Sequence, residues 1–203
     1  MSKVIYIPGK AKNAGIKELM NKVNIPTSFG IVTTIQFLDE VNQLEGYTIL
    51  GQILGCNTQS TKDSDVESYL YIGTGRFHPL NLAFQQDKPV YTLNPITKEF
   101  SKISEEEVKR YNNRKRGALL KFHAAKKIGI IVSIKSGQNQ FNRALALKKK
   151  LENKEAYIFL CDNVRSMEDY NDIECWVNTA CTRIVEDELP VPMINIRDID
   201  SLN

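Results

Sequence analysis

Two cysteines stand in loop sequence. Cys56 follows Gly51-Gln52-Ile53-Leu54-Gly55, itself downstream of the apolar run Tyr47–Leu50, and Cys181 sits in Asn178-Thr179-Ala180-Cys181-Thr182-Arg183, after Cys175-Trp176-Val177. Glycine permits backbone turns closed to other residues, so each run reads as a strand that releases a thiol at its exit, where α/β folds present chemistry. A nucleophilic role needs a base nearby, and the chain holds only His78 and His123, neither in an obvious Cys-His-Asp arrangement. A closed zinc site needs four ligands. Soft thiolates brought together from separate domains suit an iron–sulfur cluster as one option among these. Cys161 and Cys175 lie within or at the ends of apolar runs and read as small buried hydrophobes.

Gly73-Thr74-Gly75-Arg76 follows the run Tyr69–Ile72 and has the outline of an anion-binding turn. It lacks the third glycine of a dinucleotide fingerprint, and Pro79 stands where the helix would begin. Arg76 and His78 are therefore candidate ligand contacts at a strand's carboxyl edge, against the alternative of structural hydrogen bonding. Lys135-Ser136-Gly137-Gln138 repeats the arrangement after Ile128–Val132, with Gly137 freeing backbone N–H groups for a carboxylate or phosphate. The basic stretch Lys109–Lys121, with Arg110, Arg114, Lys115 and Arg116, reads as a solvated helix face.

The elements that must position these residues alternate. Val4–Ile7 before Pro8-Gly9 reads as a strand, and Ile16, Leu19, Met20 and Val23 set a helical stripe. Phe29–Val32 is a buried strand, followed by a helical stripe at Ile35, Leu38, Val41 and Leu44. A short helix over Leu80–Phe84 and a strand over Pro89–Leu93 follow. Ser104 and Glu107 have capping-box spacing and open a long helix that reaches Lys126 or Lys127. Beyond it come a strand at Ile128–Val132, a helix bearing Phe141, Ala144, Leu145, Leu147 and Leu151, and strands at Tyr157–Leu160, Cys175–Val177 and Met193–Ile196. The expectation is an α/β protein: two similar small parallel-sheet α/β domains with helices on both faces, preceded by a leftover βα pair. The boundaries fall at residues 1–24, 25–110 and 111–203.

A net charge of +3 from 27 basic and 24 acidic residues gives no reason to infer direct nucleic-acid binding. No apolar run approaches the roughly 18 residues needed to span a bilayer, and Met1–Pro8 lacks a signal peptide's apolar core, so a cytoplasmic chain is expected. Four widely spaced cysteines without a CxxC pair fit reduced thiols, not a disulfide framework.

Taken together, Gly30–Gln36, Gly51–Cys56, Gly73–Leu80, Lys88-Pro89-Val90, Gly129–Val132 through Gly137-Gln138, and Asn178–Cys181 resemble the diphthamide biosynthesis family, 2-(3-amino-3-carboxypropyl)histidine synthase, in family order over almost the whole chain. The resemblance implies a [4Fe–4S] enzyme of three α/β domains, each giving one cysteine. It implies that S-adenosylmethionine is cleaved at the bond from sulfur to its 3-amino-3-carboxypropyl group, and that this group passes to a histidine of elongation factor 2. By motif position Cys56 and Cys181 are the second- and third-domain ligands, and Gln36, Arg76, His78, Gly137 and Gln138 are cofactor-binding. Three departures stand out. The segment between the strand near Tyr47 and the Gly51–Cys56 block is short, and Ser136 and Thr182 stand where the family often has proline.

The expectation that follows is an archaeal-type split half, completed by a separate chain that supplies the first domain and the third cysteine, in a dimeric assembly. The alternatives are a noncatalytic supporting subunit of a full-length synthase, or a small-molecule-binding α/β module without a cluster.

Overall fold

The computed structural model describes residues 5–54, 57–62, 64–164, 167–186 and 190–200. The chain forms two compact units, Met1–Tyr111 and Asn112–Asn203.

In the first unit, β1 (Phe29–Thr33), β2 (Thr48–Gln52), β3 (Ser68–Ile72), β4 (Val90–Asn94) and β5 (Glu99–Lys102) make one sheet in the order β2-β1-β3-β4-β5. The first four strands are parallel. Side chains alternate across the sheet, as the period of two requires. Ile31, Leu70, Ile72 and Leu93 enter one core with α1 (Ile16–Leu19) and α2 (Leu38–Val41). Val32, Tyr69, Tyr71 and Val90 enter the other with α3 (Phe77–Gln86) and Val108 of α4 (Glu105–Ala124).

In the second unit, β6 (Lys127–Ser133), β7 (Glu155–Cys161), β8 (Cys175–Asn178) and β9 (Met193–Asn195) form an all-parallel sheet, order β7-β6-β8-β9. Ile128, Ile130, Val132 and Val177 pack under α5 (Phe141–Lys150), α6 (Ile196–Asp200) and Phe122 of α4. On the opposite face Ile131, Trp176 and Met193 are covered by Met167, Ile173, Ile184 and Val185, which come from 3-10 turns and loops.

The capping box forms: Ser104 N–H donates to Glu107 Oε2 at 2.9 Å and Glu107 N–H returns to Ser104 Oγ at 3.2 Å, which fixes the start of α4. Helix α3 begins at Phe77, earlier than expected, because a proline in the first helical turn lacks only an N–H that would have had no helical partner.

Helix α4 ends at Ala124, short of the expected Lys126 or Lys127, because Lys127 already opens β6. Three further expectations need correction. Of the strand expected over Val4–Ile7, Val4 lies outside the described residues and Ile5–Ile7 is not a strand; Ile5 and Ile7 are 83% and 87% exposed, and the described residues supply no neighbouring strand to pair with them. The stripe from Ile35 to Leu44 yields only the four-residue α2, because Gln43 and Leu44 turn back to carbonyls three residues earlier, which tightens the helix end. Strand β5, which sequence reading passed over, makes the first sheet mixed. Asn94 Oδ1 accepts from the Ile96 and Thr97 N–H groups, Lys98 takes φ 58°, and the chain returns antiparallel to β4.

Candidate functional site at the carboxyl edges of the two sheets

In both sheets the chain first adds a strand on one side of the founding strand and then crosses to the other side. The switch points lie between β1 and β3 and between β6 and β8. Open α/β sheets bind ligands outside the carboxyl ends of the strands at such a point.

In the first unit, Gln52, Thr33 and Ile72 end their strands level in register with Leu93, one residue before the end of β4, so the following loops emerge together. Thr33 Oγ1 ties β1 to β3 by donating to the Ile72 carbonyl at 2.7 Å. Gln36, exposed, follows β1, and its carbonyl accepts the Ala11 N–H at 2.8 Å. Gly73 follows β3 over the buried Tyr71 ring; a Cβ there would stand 2.5 Å from the tyrosine oxygen. His78, half-buried in the first turn of α3, lies 6.0 Å from the Tyr71 ring.

Arg76 was read as either a ligand contact or a structural hydrogen-bonding residue, and its half-exposed guanidinium holds neighbouring side chains. It grips Glu107 through Nη2 at 2.6 and 2.8 Å and Nε at 3.1 Å, while Nη1 donates to Ser101 Oγ at 3.0 Å and Thr92 Oγ1 at 3.3 Å. Burial alone would raise the Glu107 carboxyl, but the bonds and charge of Arg76, with those from Ser104, hold it below the usual carboxylate value. The arginine thus ties the β3 loop to the start of α4 and to β5.

Cys56 lies outside the described residues. On either side of Gly55 and Cys56, Leu54 and Asn57 exchange two backbone hydrogen bonds, of 3.0 and 2.9 Å.

In the second unit the Cys181 loop is braced from below. Asn178, 1% exposed at the end of β8, donates from Nδ2 to the Cys181 carbonyl at 2.9 Å and to Asn195 Oδ1 at 2.8 Å, while its Oδ1 accepts the Ala180 N–H at 3.0 Å. Thr179 Oγ1 donates to the Ile131 carbonyl at 2.7 Å. Cys181 itself is exposed, and its carbonyl also accepts the Ile184 N–H, which opens the 3-10 turn Thr182–Glu186. Thr182 thereby holds a first helical position, one that proline also suits. The bracing residues Asn178 and Thr179 stand in the Asn178–Cys181 motif, whose cysteine alone carried an expected role. Their signal was a pair of polar residues at the exit of an apolar strand, and Asn195 sits likewise at the end of β9.

Across the switch point, Gln138 N–H donates to the Lys135 carbonyl at 3.1 Å, and Gly137 takes φ 76°. Only Gly137 in this turn has positive φ, which is the type II pattern: glycine at the third position and, at Ser136, a second position that favours proline. Both departures from proline therefore occur where the turn forms without it. Gly137 is exposed and Gln138 half-buried.

The other thiols face inward. Cys175 is fully buried, which pushes its thiol up to about 11, and Cys161 is raised by burial and by Asp162. Among the described residues no three His, Cys, Asp or Glu side chains cluster as a metal site, and no helix is long and apolar enough to cross a membrane.

Comparison with known proteins decides the family. The model of the diphthamide synthesis proteins matches residues 1–200. The chain belongs to that family. It is 36% identical over 164 residues to 2-(3-amino-3-carboxypropyl)histidine synthase of Methanocaldococcus jannaschii, covering 78% of this chain and 46% of that protein. Against the protein of the same name in Pyrococcus horikoshii it is 30% identical over 220 residues, covering 99% of this chain and 63% of the relative. The crystal structure of Dph2 from Pyrococcus horikoshii with a 4Fe-4S cluster superposes with a TM-score of 0.74 at 30% identity, over 92% of this chain and 60% of that one. The chain thus spans about half to three-fifths of the length of these relatives.

The two cysteines, each read as following a strand exit, follow strands that do not correspond between the two sheets. Matching the strand orders pairs β2 with β7 and β3 with β8; Cys56 follows β2, an outer strand, whereas Cys181 follows the central β8. By the same matching Gln138 corresponds to the Gln36 loop, not to the Arg76 loop.

Proposed function

We propose that the chain supplies two of three cysteine ligands to a [4Fe–4S] cluster in an enzyme that transfers the 3-amino-3-carboxypropyl group of S-adenosylmethionine to a histidine of elongation factor 2. The observation that carries this reading is the Cys181 loop. It offers an exposed thiol, held by buried asparagine side chains beside a glycine turn at a switch point, in a family one of whose solved members holds such a cluster.

The donor fits the group: a soft thiol on a braced, solvent-facing turn suits iron, whereas the thiols of Cys161 and Cys175 are raised by burial and pack against the sheet's hydrophobic clusters. Cys56 is assigned by its motif. The third thiolate lies outside these residues, on a chain carrying the family's first domain, and the assembly is dimeric. When bound, the cluster supplies an electron and an open coordination position for S-adenosylmethionine. The chain's own residues bind and orient. In the second unit, exposed Gly137 allows close backbone approach by the methionine carboxylate, and the Gln138 amide can donate to it or accept from its ammonium; the Gln36 amide offers the same chemistry at the edge of the first unit. His78 flanks the same edge in the first unit, and Arg76 acts on this edge by positioning the β3 loop.

The test is anaerobic reconstitution of the chain together with a first-domain chain, followed by iron and sulfide counting and by transfer of labelled aminocarboxypropyl group to elongation factor 2. Cys56→Ala and Cys181→Ala should each drop transfer to background and lower iron content, while Cys161→Ala and Cys175→Ala keep both. Full transfer by either loop variant would remove the ligand assignment and favour a supporting subunit.

A further inference from the structure

We infer that the second unit carries a docking pocket for a cationic side chain of a partner protein, at the edge of its sheet opposite the Cys181 loop. A cavity of about 540 Å³ opens where the amino ends of β6 and β8 meet the flank of β7; Lys127, Tyr157, Phe159, Asp169, Tyr170 and Asp172 line it.

Its walls are aromatic and braced. Phe159 meets Tyr170 edge-on at 4.8 Å, and both rest on the buried Trp176, at 4.8 and 5.8 Å. Yet Tyr157 and Tyr170 remain 46% and 48% exposed, so the aromatic surface continues out of the core into solvent. Around it the charge is negative. Asp169 and Asp172 line the cavity, and Glu155 accepts the Tyr157 hydroxyl at 3.0 Å, so among the described residues that line the cavity or bond to its lining three carboxylates stand beside the Lys127 ammonium. That ammonium reaches one Asp172 oxygen at 3.4 Å, and the Asp172 side chain is 87% exposed, which leaves most of the acidic surface open. In a chain of net charge +3 this is a local reversal of sign.

Ring faces and carboxylates both attract a cation, and an arginine or lysine side chain brings an apolar stem that matches the tyrosines. The neighbouring main chain points to a protein as its source. β7 is an outer strand of the sheet, and its outer edge has no strand partner among the described residues, so an extended segment can lie along it while one side chain enters the pocket.

Trp176, the chain's single tryptophan, sits behind the pocket and reports on it. The full chain is titrated with a heptapeptide carrying one central arginine, with capped arginine, and with the same heptapeptide carrying glutamate instead. Expected are a saturable change in Trp176 emission with the arginine peptide, a response to capped arginine about tenfold weaker, and none with the glutamate peptide. Asp172→Asn, at an exposed position, should weaken the arginine peptide roughly fivefold, and Tyr170→Leu at least as much. Equal response to the glutamate peptide, no saturable response to arginine, or unchanged affinity in Asp172→Asn would overturn the pocket. Equal affinity for capped arginine and peptide would overturn the protein partner. None of these readings needs cluster, S-adenosylmethionine or transfer, so the outcome is independent of the function proposed above.

Discussion

Asn178→Ala separates the support of the Cys181 loop from its chemistry. The wild-type side chain makes three hydrogen bonds, to the Cys181 carbonyl, Asn195 Oδ1 and the Ala180 N–H. These losses are unequal. The Cys181 carbonyl keeps the Ile184 N–H at 3.1 Å, and the half-buried Ala180 N–H can turn to water. Asn195, only 4% exposed, is left with an acceptor that has lost its donor. One orphaned buried acceptor costs about 1–3 kcal/mol, and the two weaker losses with the small cavity bring the total to about 2–4 kcal/mol. Thr179→Val, by contrast, removes one bond to a carbonyl that retains the Thr179 N–H at 3.2 Å, so about 1 kcal/mol is expected. Cys181→Ala, at an exposed side chain, should stay within about 0.5 kcal/mol of wild type. Urea unfolding followed by Trp176 emission reads the second unit directly, since this tryptophan lies in β8. If Asn178→Ala unfolds like wild type, or Cys181→Ala loses as much stability, then the asparagine is not the brace and the thiol has a packing role.

Three further outcomes follow from the same geometry. The Glu107 carboxyl, lowered on folding from its ordinary 4.5, contributes stability that is present above that value and lost as pH falls through its folded value. The stability gap between wild type and Arg76→Gln should therefore shrink on acidification from about pH 6 to about pH 3, and a gap constant with pH would refute the coupling. Alkylation at about pH 8 with peptide mapping should modify exposed Cys181 well before Cys175, whose buried thiol sits at about 11; early labelling of Cys175 would contradict its burial. Ser136→Pro should raise stability by about 0.5 kcal/mol and Gly137→Ala lower it by about 1 kcal/mol, as calorimetry can measure; the reverse order would exclude a type II turn.

The parallel cores were legible because their strands are buried on both faces: Tyr69–Ile72 and Ile128–Val132 are continuous apolar runs, which only a covered sheet can hide. The start of α4 was legible for a local reason, since Ser104 and Glu107 satisfy each other within one turn. What escaped was either weakly patterned or non-local. Glu99–Lys102 carries one large apolar residue, Phe100, so β5 is held mainly by its pairing with β4 and by the Asn94 turn. Ile5–Ile7 had strand composition, and composition cannot supply a neighbour.

The site shows the same division more sharply. Glycine, cysteine and their polar flanks revealed the loops, because a backbone turn and a thiol are properties of a few consecutive residues. Which loops share an edge is decided by strand order, and nothing local encodes that order: the runs before Cys56 and Cys181 look alike, yet one becomes an outer strand and the other a central one. Arg76 makes the point for a single side chain. Its loop left a ligand contact and a structural hydrogen-bonding role both open, and its partners, Thr92, Ser101 and Glu107, lie 16, 25 and 31 residues away in β4, β5 and α4. β5 and the start of α4 adjoin in sequence, and both are carried to Arg76 by the pairing of β5 with β4. A residue's place in a motif therefore fixed where Arg76 stands, and long-range pairing fixed what its guanidinium holds.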